Sequence, residues 1–344
     1  MWTTSFAPLV AALTLLSLAR LTADAAATQA PADSDLGAKL RQLAATAPGR
    51  AGVSVVHIES GRGAAVNSDE RFPMMSVYKL PIAIHALRER QRGQLDLNEV
   101  VTLAEADRRP GFSPMAESIA ANGSLTVSVR DVIVAVVTRS DNTASDWLLR
   151  RVGGPGAVAR TLRELRLSGI DVSRYELQFA ADYYGVCCVD AMRPFSLARF
   201  AEAVERVPAG ARQTSAKAYE RDPRDTATPA GMTALLVRLQ QGELLDGPNT
   251  AWLLELMAEM HARDTRIRAG LPPGTSVALR PGTSGLTGEV RAAHNDAGIV
   301  TLPAGRGHLA VAIFLKGAGG TEEERDAAIA GFARAAYDWA VGKP

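Results

Sequence analysis

The chain has 344 residues, of which 47% are hydrophobic and 22% are charged, a composition typical of a globular protein with one or two domains. Its 38 Lys and Arg residues nearly balance 37 Asp and Glu residues, so the formal net charge is +1. The basic residues are scattered rather than clustered, and the sequence therefore argues against a nucleic-acid partner.

The first segment of the chain has the pattern of a secretory signal peptide. Ala7–Leu18 is an apolar run, and the small residues of Ala23–Ala25 after it fit an A-x-A cleavage site. The run is too short for a stable membrane span, and no cysteine for a lipid anchor stands near it. We therefore expect residues 1–25 to be removed on export. A buried N-terminal helix is the alternative.

The predicted elements after this segment place strands near both ends of the chain. Near the start, periodicity predicts a helix, two strands and a helix at Leu36–Ala47, Val53–Ile58, Ala64–Asn67 and Ser76–Arg92. The middle is predominantly helical, with predicted helices at Val129–Thr138, Ala144–Val152, Ala157–Leu167, Phe195–Val207 and Pro229–Gln241.

Strands return in the last part of the chain, at Ser276–Leu279, Ala297–Leu302 and Leu309–Leu315, with turns predicted at Asn295-Asp296 and Pro303–Gly307. A last helix begins at Thr321, whose spacing to Glu324 is that of a capping box. This order predicts one layered domain formed by residues 26–95 and 243–344. An all-α domain over 96–242, with a long loop at 174–225, is inserted into it.

The first motif with a chemical interpretation is Ser76-Val77-Tyr78-Lys79, at the start of a predicted helix. Residues three apart share a helix face, so the lysine amine can take or hold the proton of the serine hydroxyl. Backbone N–H groups at this helix end can stabilise an oxyanion. Taken alone, the pattern is common and more often marks a helix-capping serine followed by an exposed lysine.

The second motif, Ser140-Asp141-Asn142, follows a buried apolar helix and opens the next one. A serine there can pass a proton to a leaving nitrogen, and an amide there can bind a substrate carbonyl. By itself this motif also reads as a Ser or Asp helix cap. Together, in this order and in these positions, the two motifs are far more specific.

With these motifs the chain resembles the class A β-lactamases, which carry S-x-x-K followed by S-D-N. The resemblance covers nearly the whole mature chain and is most similar in pattern to the extended-spectrum branch of Gram-negative bacteria. The stretches that carry it are Phe72–Leu80, Ser140–Thr143, Gly153-Gly154-Pro155, Arg174-Tyr175-Glu176, Asp225–Ala230 and Gly282–Gly285 leading to Asn295-Asp296.

This resemblance implies an α+β fold of the β-lactamase/transpeptidase type. An antiparallel sheet built from both termini is flanked by helices, and an all-α domain is inserted into it. The resemblance also implies a small-molecule β-lactam substrate, a periplasmic location, and neither a cofactor nor a metal. A monomer is the default expectation, because nothing in the sequence indicates an interface.

The resemblance also implies a role for each site residue. Ser76 is expected to be the nucleophile, Lys79 its proton partner and Ser140 the proton donor to the lactam nitrogen. Glu176 is expected to activate the water that hydrolyses the acyl-enzyme. The remaining assignments are Asn142 for the substrate amide, Arg280, Gly282 and Thr283 for binding, the N–H groups of Ser76 and Thr283 as oxyanion hole, and Arg174 with Asp225 as a loop-closing ion pair.

The third motif departs from the family pattern, because Arg280-Pro281-Gly282 replaces Lys-Thr-Gly. Arg280 keeps the positive charge, and its planar fork suits a substrate carboxylate. Pro281 has neither a hydroxyl nor an N–H, which an edge strand tolerates. We expect Thr283 or Ser284 to supply the missing hydroxyl.

The loop that carries Glu176 also departs from the family. Ala180 stands where the family has an amide that helps to hold the deacylating water. The interval from Glu176 to Asp225 is far longer than the family's, and we expect the insertion to pack as a helix over the pocket and restrict substrate side chains. Its adjacent Cys187 and Cys188 are expected to be unpaired thiols, with a vicinal disulfide as the alternative.

Two other functions remain open at this point. A D-alanyl-D-alanine peptidase-like penicillin-binding protein shares the acylation residues, but Glu176 argues against it. A catalytically decayed protein that binds β-lactams or peptidoglycan is motivated by Arg280-Pro281 and Ala180, although such a protein does not need an intact site. A metallo-enzyme is disfavoured because the histidines are isolated in the sequence, at His57, His85, His261, His294 and His308.

Overall fold

The strands of this protein come mostly from the two ends of the chain. The computed structural model describes residue 1, residues 33–260 and residues 265–342. Its strands are β1 (Arg50–His57), β2 (Gly63–Val66), β3 (Phe72–Pro73), β4 (Val100–Ala104), β5 (Ser124–Ser128), β6 (Thr226–Ala227), β7 (Val277–Thr283), β8 (Leu286–Thr287), β9 (Val290–Thr301) and β10 (His308–Ala318).

The main sheet has the order β2-β1-β10-β9-β7, with β8 paired to β9. Every pair in it is antiparallel. The predicted α+β fold with an antiparallel sheet from both termini is therefore confirmed. Strand β7 lies at an edge of the sheet, as its proline requires.

The helices flank this sheet and fill the middle of the chain. They are α1 (Ser34–Thr46), α2 (Lys79–Gln91), α3 (Pro114–Asn122), α4 (Val129–Val134), α5 (Asn142–Arg151), α6 (Gly154–Glu164), α7 (Glu176–Tyr184), α8 (Leu197–Arg206), α9 (Ala209–Tyr219), α10 (Pro229–Gln240), α11 (Gly247–Ala258), α12 (Arg266–Ala269) and α13 (Glu322–Val341).

Two apolar cores lie on opposite faces of the sheet. In β10, Val311 and Ile313 face one core, which includes Phe332 of α13. The alternate residues Ala312 and Phe314 face the other core, which extends through α2, α5 and α10. This alternation follows from the two-residue period of a strand, and burial on both faces explains why β10 is apolar along its length. The two cores thereby hold the sheet, and with it the edge strand β7, in a fixed position.

Several sequence predictions are confirmed in detail. Strands β1 and β2 pair as expected, with Val53 opposite Val66. Helix α13 begins after a capping box, in which Thr321 Oγ1 accepts from Glu324 N and Glu324 accepts from Thr321 N. Both features join residues that lie near one another in the chain, so the pattern of a single sequence can predict them.

Other elements differ from the predictions. Asn295-Asp296 is not a turn, because both residues lie inside β9, where buried polar side chains interrupt the apolar pattern. The segment 96–242 also contains the pair β4–β5 and strand β6, which pairs with β3. The helix predicted at Val129–Thr138 changes after Val134 into a π-helical turn, Ala135–Arg139.

The expected signal peptide lies outside the described residues. Within the described part of the chain, no helix is both long enough and apolar enough to cross a membrane.

Candidate active site

Ser76 lies in a single 3₁₀ turn, Met75–Tyr78, directly before α2. Lys79 is the first residue of α2 and is completely buried. Its Nζ lies 3.3 Å from Ser76 Oγ. The spacing of three residues in a helical turn therefore brings the amine to the hydroxyl, as the sequence predicted.

The Lys79 amine is the point where the other predicted residues meet. It donates to Ser140 O at 2.9 Å and to Asn142 Oδ1 at 2.5 Å, and Ser140 Oγ lies 3.4 Å away. Glu176 Oε1 lies 2.8 Å from the same Nζ. Residues from three separate parts of the chain thus surround one buried cation.

An unusual backbone conformation directs Ser140 toward this point. After the π-helical turn, Ser140 adopts a φ of 61°, the left-handed region that residues other than glycine rarely occupy. Asp141 then caps α5 by accepting from Ala144 N at 2.9 Å. Such strain persists where surrounding structure enforces it, and it is typical of functional sites.

The buried pair of Lys79 and Glu176 has unusual proton affinities. Burial lowers the pKa of Lys79, and the neighbouring carboxylate only partly opposes this. Burial raises the pKa of Glu176, with Lys79 opposing. The two pKa values are therefore brought closer together, which makes proton transfer between the groups easier than it is in water.

The start of α7 is fixed by a second buried pair that the sequence did not reveal. Asp146 Oδ1 accepts from Glu176 N at 2.6 Å, and its Oδ2 lies 3.4 Å from Leu177 N. Arg109 Nε in turn donates to Asp146 Oδ2 at 2.5 Å. Both members of this pair are buried. The carboxylate thus holds the first turn of the helix that presents Glu176.

Arg280 does not present its guanidinium to a substrate. Its Nε donates to Ser76 O at 2.7 Å, and its Nη1 donates to Val136 O and Val137 O at 3.1 and 2.9 Å. Its Nη2 donates to Ser140 Oγ at 2.7 Å. Val136 and Val137 belong to the π-helical turn that ends their helix, and the last carbonyls of a helix have no partner within it. The expected role of Arg280 as a carboxylate ligand is therefore not supported by its contacts, because the guanidinium links the two serine-bearing segments instead.

Pro281 removes no hydrogen bond from the sheet. Ser284 N donates to Ala293 O at 2.9 Å, so the N–H groups at 283 and 281 point away from β9 by the alternation of an antiparallel ladder. Pro281 lacks this N–H, and the sheet loses no hydrogen bond there. At Thr283 the N–H faces the open edge of the sheet, where an oxyanion donor is expected.

Gly282 permits β7 to lie close to the turn that carries Ser76. A Cβ atom on Gly282 would stand 2.3 Å from Met74 O and 3.1 Å from Val77 N. Any side chain there would push the strand away. The glycine of the third motif therefore has a steric function at this site.

A cavity of about 420 Å³ opens over these groups. Its wall contains Ser76, Ser140, Asn142 and Glu176, together with Pro281, Gly282 and Thr283 of β7. The aromatic residues that line it are Tyr78, Phe112, Phe179, Tyr183 and Tyr184. Phe112 is 63% exposed, so the mouth of the cavity has an apolar side.

Only the first helix of the insertion lines this cavity. Helix α7 contributes Phe179, Ala180, Tyr183 and Tyr184. The predicted helix at Phe195–Val207 forms as α8, but it packs with α7 in a separate small core and not over the pocket. The insertion thus contributes a helix to the cavity wall through α7, whereas α8 lies away from the cavity. That the insertion restricts substrate side chains stays a prediction.

The two ends of the insertion are joined by the expected ion pair. Arg174 Nε donates to Asp225 Oδ2 at 2.6 Å, and Nη1 contacts Asp182 and Asp222 at 2.7 and 3.0 Å. Burial opposes the charge of Arg174, but its acidic partners, chiefly Asp225 and then Asp182, together outweigh burial and raise the pKa of Arg174. The guanidinium also lies 5.5 Å from the ring of Tyr219 in α9.

Comparison with known proteins agrees with this geometry. The model of the β-lactamase enzyme family matches residues 35–340. The chain belongs to the β-lactamase enzyme family. Extended-spectrum β-lactamase PER-1 of Pseudomonas aeruginosa is 29% identical over 279 residues, covering 81% of this chain and 78% of the relative.

Solved structures of β-lactamases share the fold. A β-lactamase from Chitinophaga pinensis DSM 2588 has a TM-score of 0.74 and 28% identity, covering 89% of this chain and 99% of the other. The ancestral class A β-lactamase GNCA has a TM-score of 0.68 and 29% identity, covering 87% and 98%. The predicted resemblance to class A enzymes, and to their extended-spectrum branch, is confirmed.

Within this β-lactamase-family site, Arg266 is a cavity residue that sequence reasoning missed. Its Nη2 donates to Thr283 Oγ1 at 2.7 Å. Of the two hydroxyls expected to replace the one missing at 281, Thr283 lines the cavity, whereas Ser284 is buried and donates to Gly285 O at 2.9 Å. No motif surrounds Arg266, so only the fold reveals it.

We expect Arg174→Ala to lower the free energy of unfolding by about 3–5 kcal/mol, because it leaves Asp225 buried without its partner. Urea denaturation followed by circular dichroism measures this change. Arg206→Ala is the matched control, because Arg206 pairs with Glu202 at an exposed position and should change stability by less than about 1 kcal/mol. Equal stabilities for the two variants would contradict the structural role of Arg174.

Proposed function

We propose that this member of the β-lactamase family opens β-lactam rings by forming an acyl-enzyme on Ser76 and hydrolyses that intermediate with water activated by Glu176. The observation that carries the proposal is the convergence on Lys79 Nζ of Ser76 Oγ, Ser140 and Glu176, all within 3.4 Å. An S-x-x-K pair alone can acylate; the additional buried carboxylate provides a base for deacylation.

In acylation, Ser76 Oγ attacks the lactam carbonyl carbon and the C–N bond breaks. Lys79 passes a proton to Glu176 and, as the neutral amine, takes up the proton of Ser76 Oγ. Burial favours this exchange because it brings the pKa values of Lys79 and Glu176 together. Ser140 gives its proton to the ring nitrogen, and the Lys79 amine can then supply a new proton to Ser140 Oγ. The N–H groups of Ser76 and Thr283 are proposed to hold the oxyanion.

In deacylation, Glu176 first returns its proton to Lys79 and then takes a proton from a water molecule that attacks the ester carbonyl. The ester C–O bond breaks, and Ser76 Oγ regains its proton from Lys79 Nζ, which in turn takes up the proton held by Glu176. Ala180 lines the cavity and has no amide to help hold this water. Asp146 and Arg109 hold the start of α7, the helix that presents the Glu176 carboxylate. We therefore assign the positioning of the water to Glu176. Both steps need only groups that border the cavity or support its wall.

Substrate binding is assigned to groups around the cavity. The carboxylate of the substrate is proposed to lie against Arg266 and the Thr283 hydroxyl, since Arg280 is committed to other partners. Asn142 is proposed to bind the amide of the substrate side chain through its Nδ2, which otherwise donates to Pro110 O.

The pH dependence of turnover follows from the raised pKa of Glu176. Water activation needs the carboxylate, so kcat should fall on the acid side as Glu176 takes up a proton. Because burial raises its pKa above the ordinary 4.5, we expect the inflection above pH 4.5. A profile of kcat against pH measures it. An inflection at or below 4.5 would contradict the buried environment assigned to Glu176.

The experiment that tests the proposal follows a chromogenic cephalosporin in excess over the purified mature protein. The proposal expects steady hydrolysis through many turnovers. A single burst equal to the enzyme concentration would indicate a penicillin-binding protein that acylates without deacylating. No acylation at all would indicate a decayed binding protein.

We further propose that the protein acts as a monomer in the periplasm after removal of residues 1–25. The apolar run Ala7–Leu18 and the small residues after it support export.

We also propose that residues 26–95 and 243–344 form one domain and residues 96–242 a second, with the site between them. The cavity wall, which draws on both segments, supports this division.

A further inference from the structure

Two hydroxyl groups near the catalytic residues are buried without a hydrogen-bond partner among the described residues. Tyr78, in the turn that carries Ser76, is 5% exposed, and Ser145, on α5, is 0% exposed. Neither Tyr78 Oη nor Ser145 Oγ makes a hydrogen bond of normal length and angle to any group in the described part of the chain. Buried polar groups are almost always hydrogen-bonded, and an ordered water molecule is the common partner where the protein supplies none. These two atoms therefore mark a place for water.

The Tyr78 hydroxyl faces the carboxylate of Glu176, and both residues line the cavity. Burial, followed by the negative charges of Glu176 and Asp146, raises the pKa of Tyr78 well above 10.0. Burial also raises the pKa of Glu176, and the Tyr78 hydroxyl is one of the groups that oppose this rise, after Lys79. Tyr78 therefore keeps its proton at neutral pH and stands beside Glu176 as a neutral phenol, which can both donate and accept a hydrogen bond.

The backbone positions of the two hydroxyl groups are fixed by the residues that hold Glu176. Ser145 directly precedes Asp146, whose Oδ1 accepts from Glu176 N at 2.6 Å. Tyr78 directly precedes Lys79, whose Nζ lies 2.8 Å from Glu176 Oε1. The Ser145 hydroxyl also interacts with the Tyr78 hydroxyl and partly opposes the rise in its pKa. The phenol, the serine hydroxyl and the carboxylate thus lie together at one side of the cavity.

We propose that Tyr78 is a further water-positioning residue of deacylation, because its hydroxyl, oriented by Ser145, binds the water that Glu176 activates. This inference rests on the proposed function. The water donates one hydrogen bond to Glu176 and the other to the phenol oxygen, which leaves a lone pair free to attack the ester carbonyl. Ala180 lines the cavity without a polar side chain for the second of these contacts. Tyr78 supplies it instead, from the turn that carries Ser76.

The test uses Tyr78→Phe, which removes one oxygen and keeps the ring. The deacylation rate constant equals kcat divided by the fraction of enzyme that is acylated at steady state, and acid quench followed by mass spectrometry measures that fraction. With a chromogenic cephalosporin, we expect this rate constant to fall by about tenfold or more. Acylation does not use the hydroxyl, so kcat/KM should stay within about twofold of the wild-type value.

A matched control is Tyr219→Phe. Tyr219, on α9, is also a buried phenol whose hydroxyl has no normal hydrogen bond among the described residues, but it does not line the cavity. This variant should leave both constants within about twofold of wild type. Ser145→Ala removes the second hydroxyl and should lower the deacylation rate constant by a smaller factor, with kcat/KM unchanged. It decides by the same comparison if Tyr78→Phe fails to fold.

Two outcomes overturn the inference while wild type hydrolyses the cephalosporin. A deacylation rate constant for Tyr78→Phe within about twofold of wild type would mean that the hydroxyl does not hold the water. Equal losses in this rate constant and in kcat/KM would mean that Tyr78 supports only the shape of the site. Absence of wild-type turnover would instead mark failure of the proposed function.

Discussion

Ser76→Ala should abolish both hydrolysis and covalent acylation. The variant removes the hydroxyl that lies 3.3 Å from Lys79 Nζ. The other hydroxyl of that turn belongs to Tyr78, and burial raises the pKa of this phenol well above its ordinary value, so it does not replace Ser76 as nucleophile. Loss of the nucleophile in serine hydrolases lowers kcat by about 10⁵-fold or more, and we expect a loss on this scale. Initial rates with a chromogenic cephalosporin measure it.

The fold should survive this change, because only one oxygen is removed from the molecule. Circular dichroism and the thermal midpoint should match those of wild type. Ser284→Ala is a matched control, since Ser284 is a buried serine between β7 and β8 that does not line the cavity. Substantial hydrolysis by Ser76→Ala would show that another nucleophile or an activated water opens the ring.

Glu176→Ala should separate the two halves of the reaction. Acylation can continue, because Ser76, Lys79 and the oxyanion donors remain, whereas deacylation loses its base. A positioned general base contributes about 10²–10⁴-fold, so kcat should fall on the order of 10³-fold. A rapid burst equal to the enzyme concentration should precede the slow phase, and stopped-flow absorbance measures both.

A control variant tests whether this effect is confined to the site. Glu205→Ala removes an exposed carboxylate from α8, on the same insertion, and should leave kcat unchanged. If Glu176→Ala turned over at the wild-type rate, water activation would have to be assigned to another group. If it failed to acylate, Glu176 would be the base for Ser76 itself, with Lys79 in a supporting role.

The nucleophile, its lysine and the order of the motifs could be predicted because they depend on short spacings. Ser76 and Lys79 are three residues apart, and a helical turn fixes their contact. The capping box at Thr321 is local in the same way. Glu176 could be placed only by resemblance, because nothing in its neighbourhood indicates that it approaches Lys79.

The contacts of Arg280 could not be predicted, since they depend on where two distant segments lie. A cation in the third motif suggests a carboxylate ligand, yet its guanidinium satisfies carbonyls that a π-helical turn leaves free. That turn is itself invisible in the apolar pattern of Val129–Thr138. Arg266 and Asp326 were missed for the same reason, because they lie 60 residues apart in the chain and meet only where α12 packs against α13.

The insertion was recognised by its length, but its packing was not. Its apolar pattern predicted α8 correctly as a helix. The direction in which α8 buries its apolar face depends on the partners that α7 offers, and those partners lead it away from the cavity. Periodicity therefore predicts that a helix forms, whereas the neighbouring elements decide what it covers.

The most direct test of the central claim locates the covalent intermediate. Glu176→Ala is incubated with a cephalosporin, quenched in acid, digested with a protease and mapped by mass spectrometry. We predict a mass increase confined to the peptide that contains Ser76, and none in the double variant with Ser76→Ala. An acyl group on any other residue, or no adduct while hydrolysis proceeds, would contradict an acyl-enzyme mechanism at Ser76.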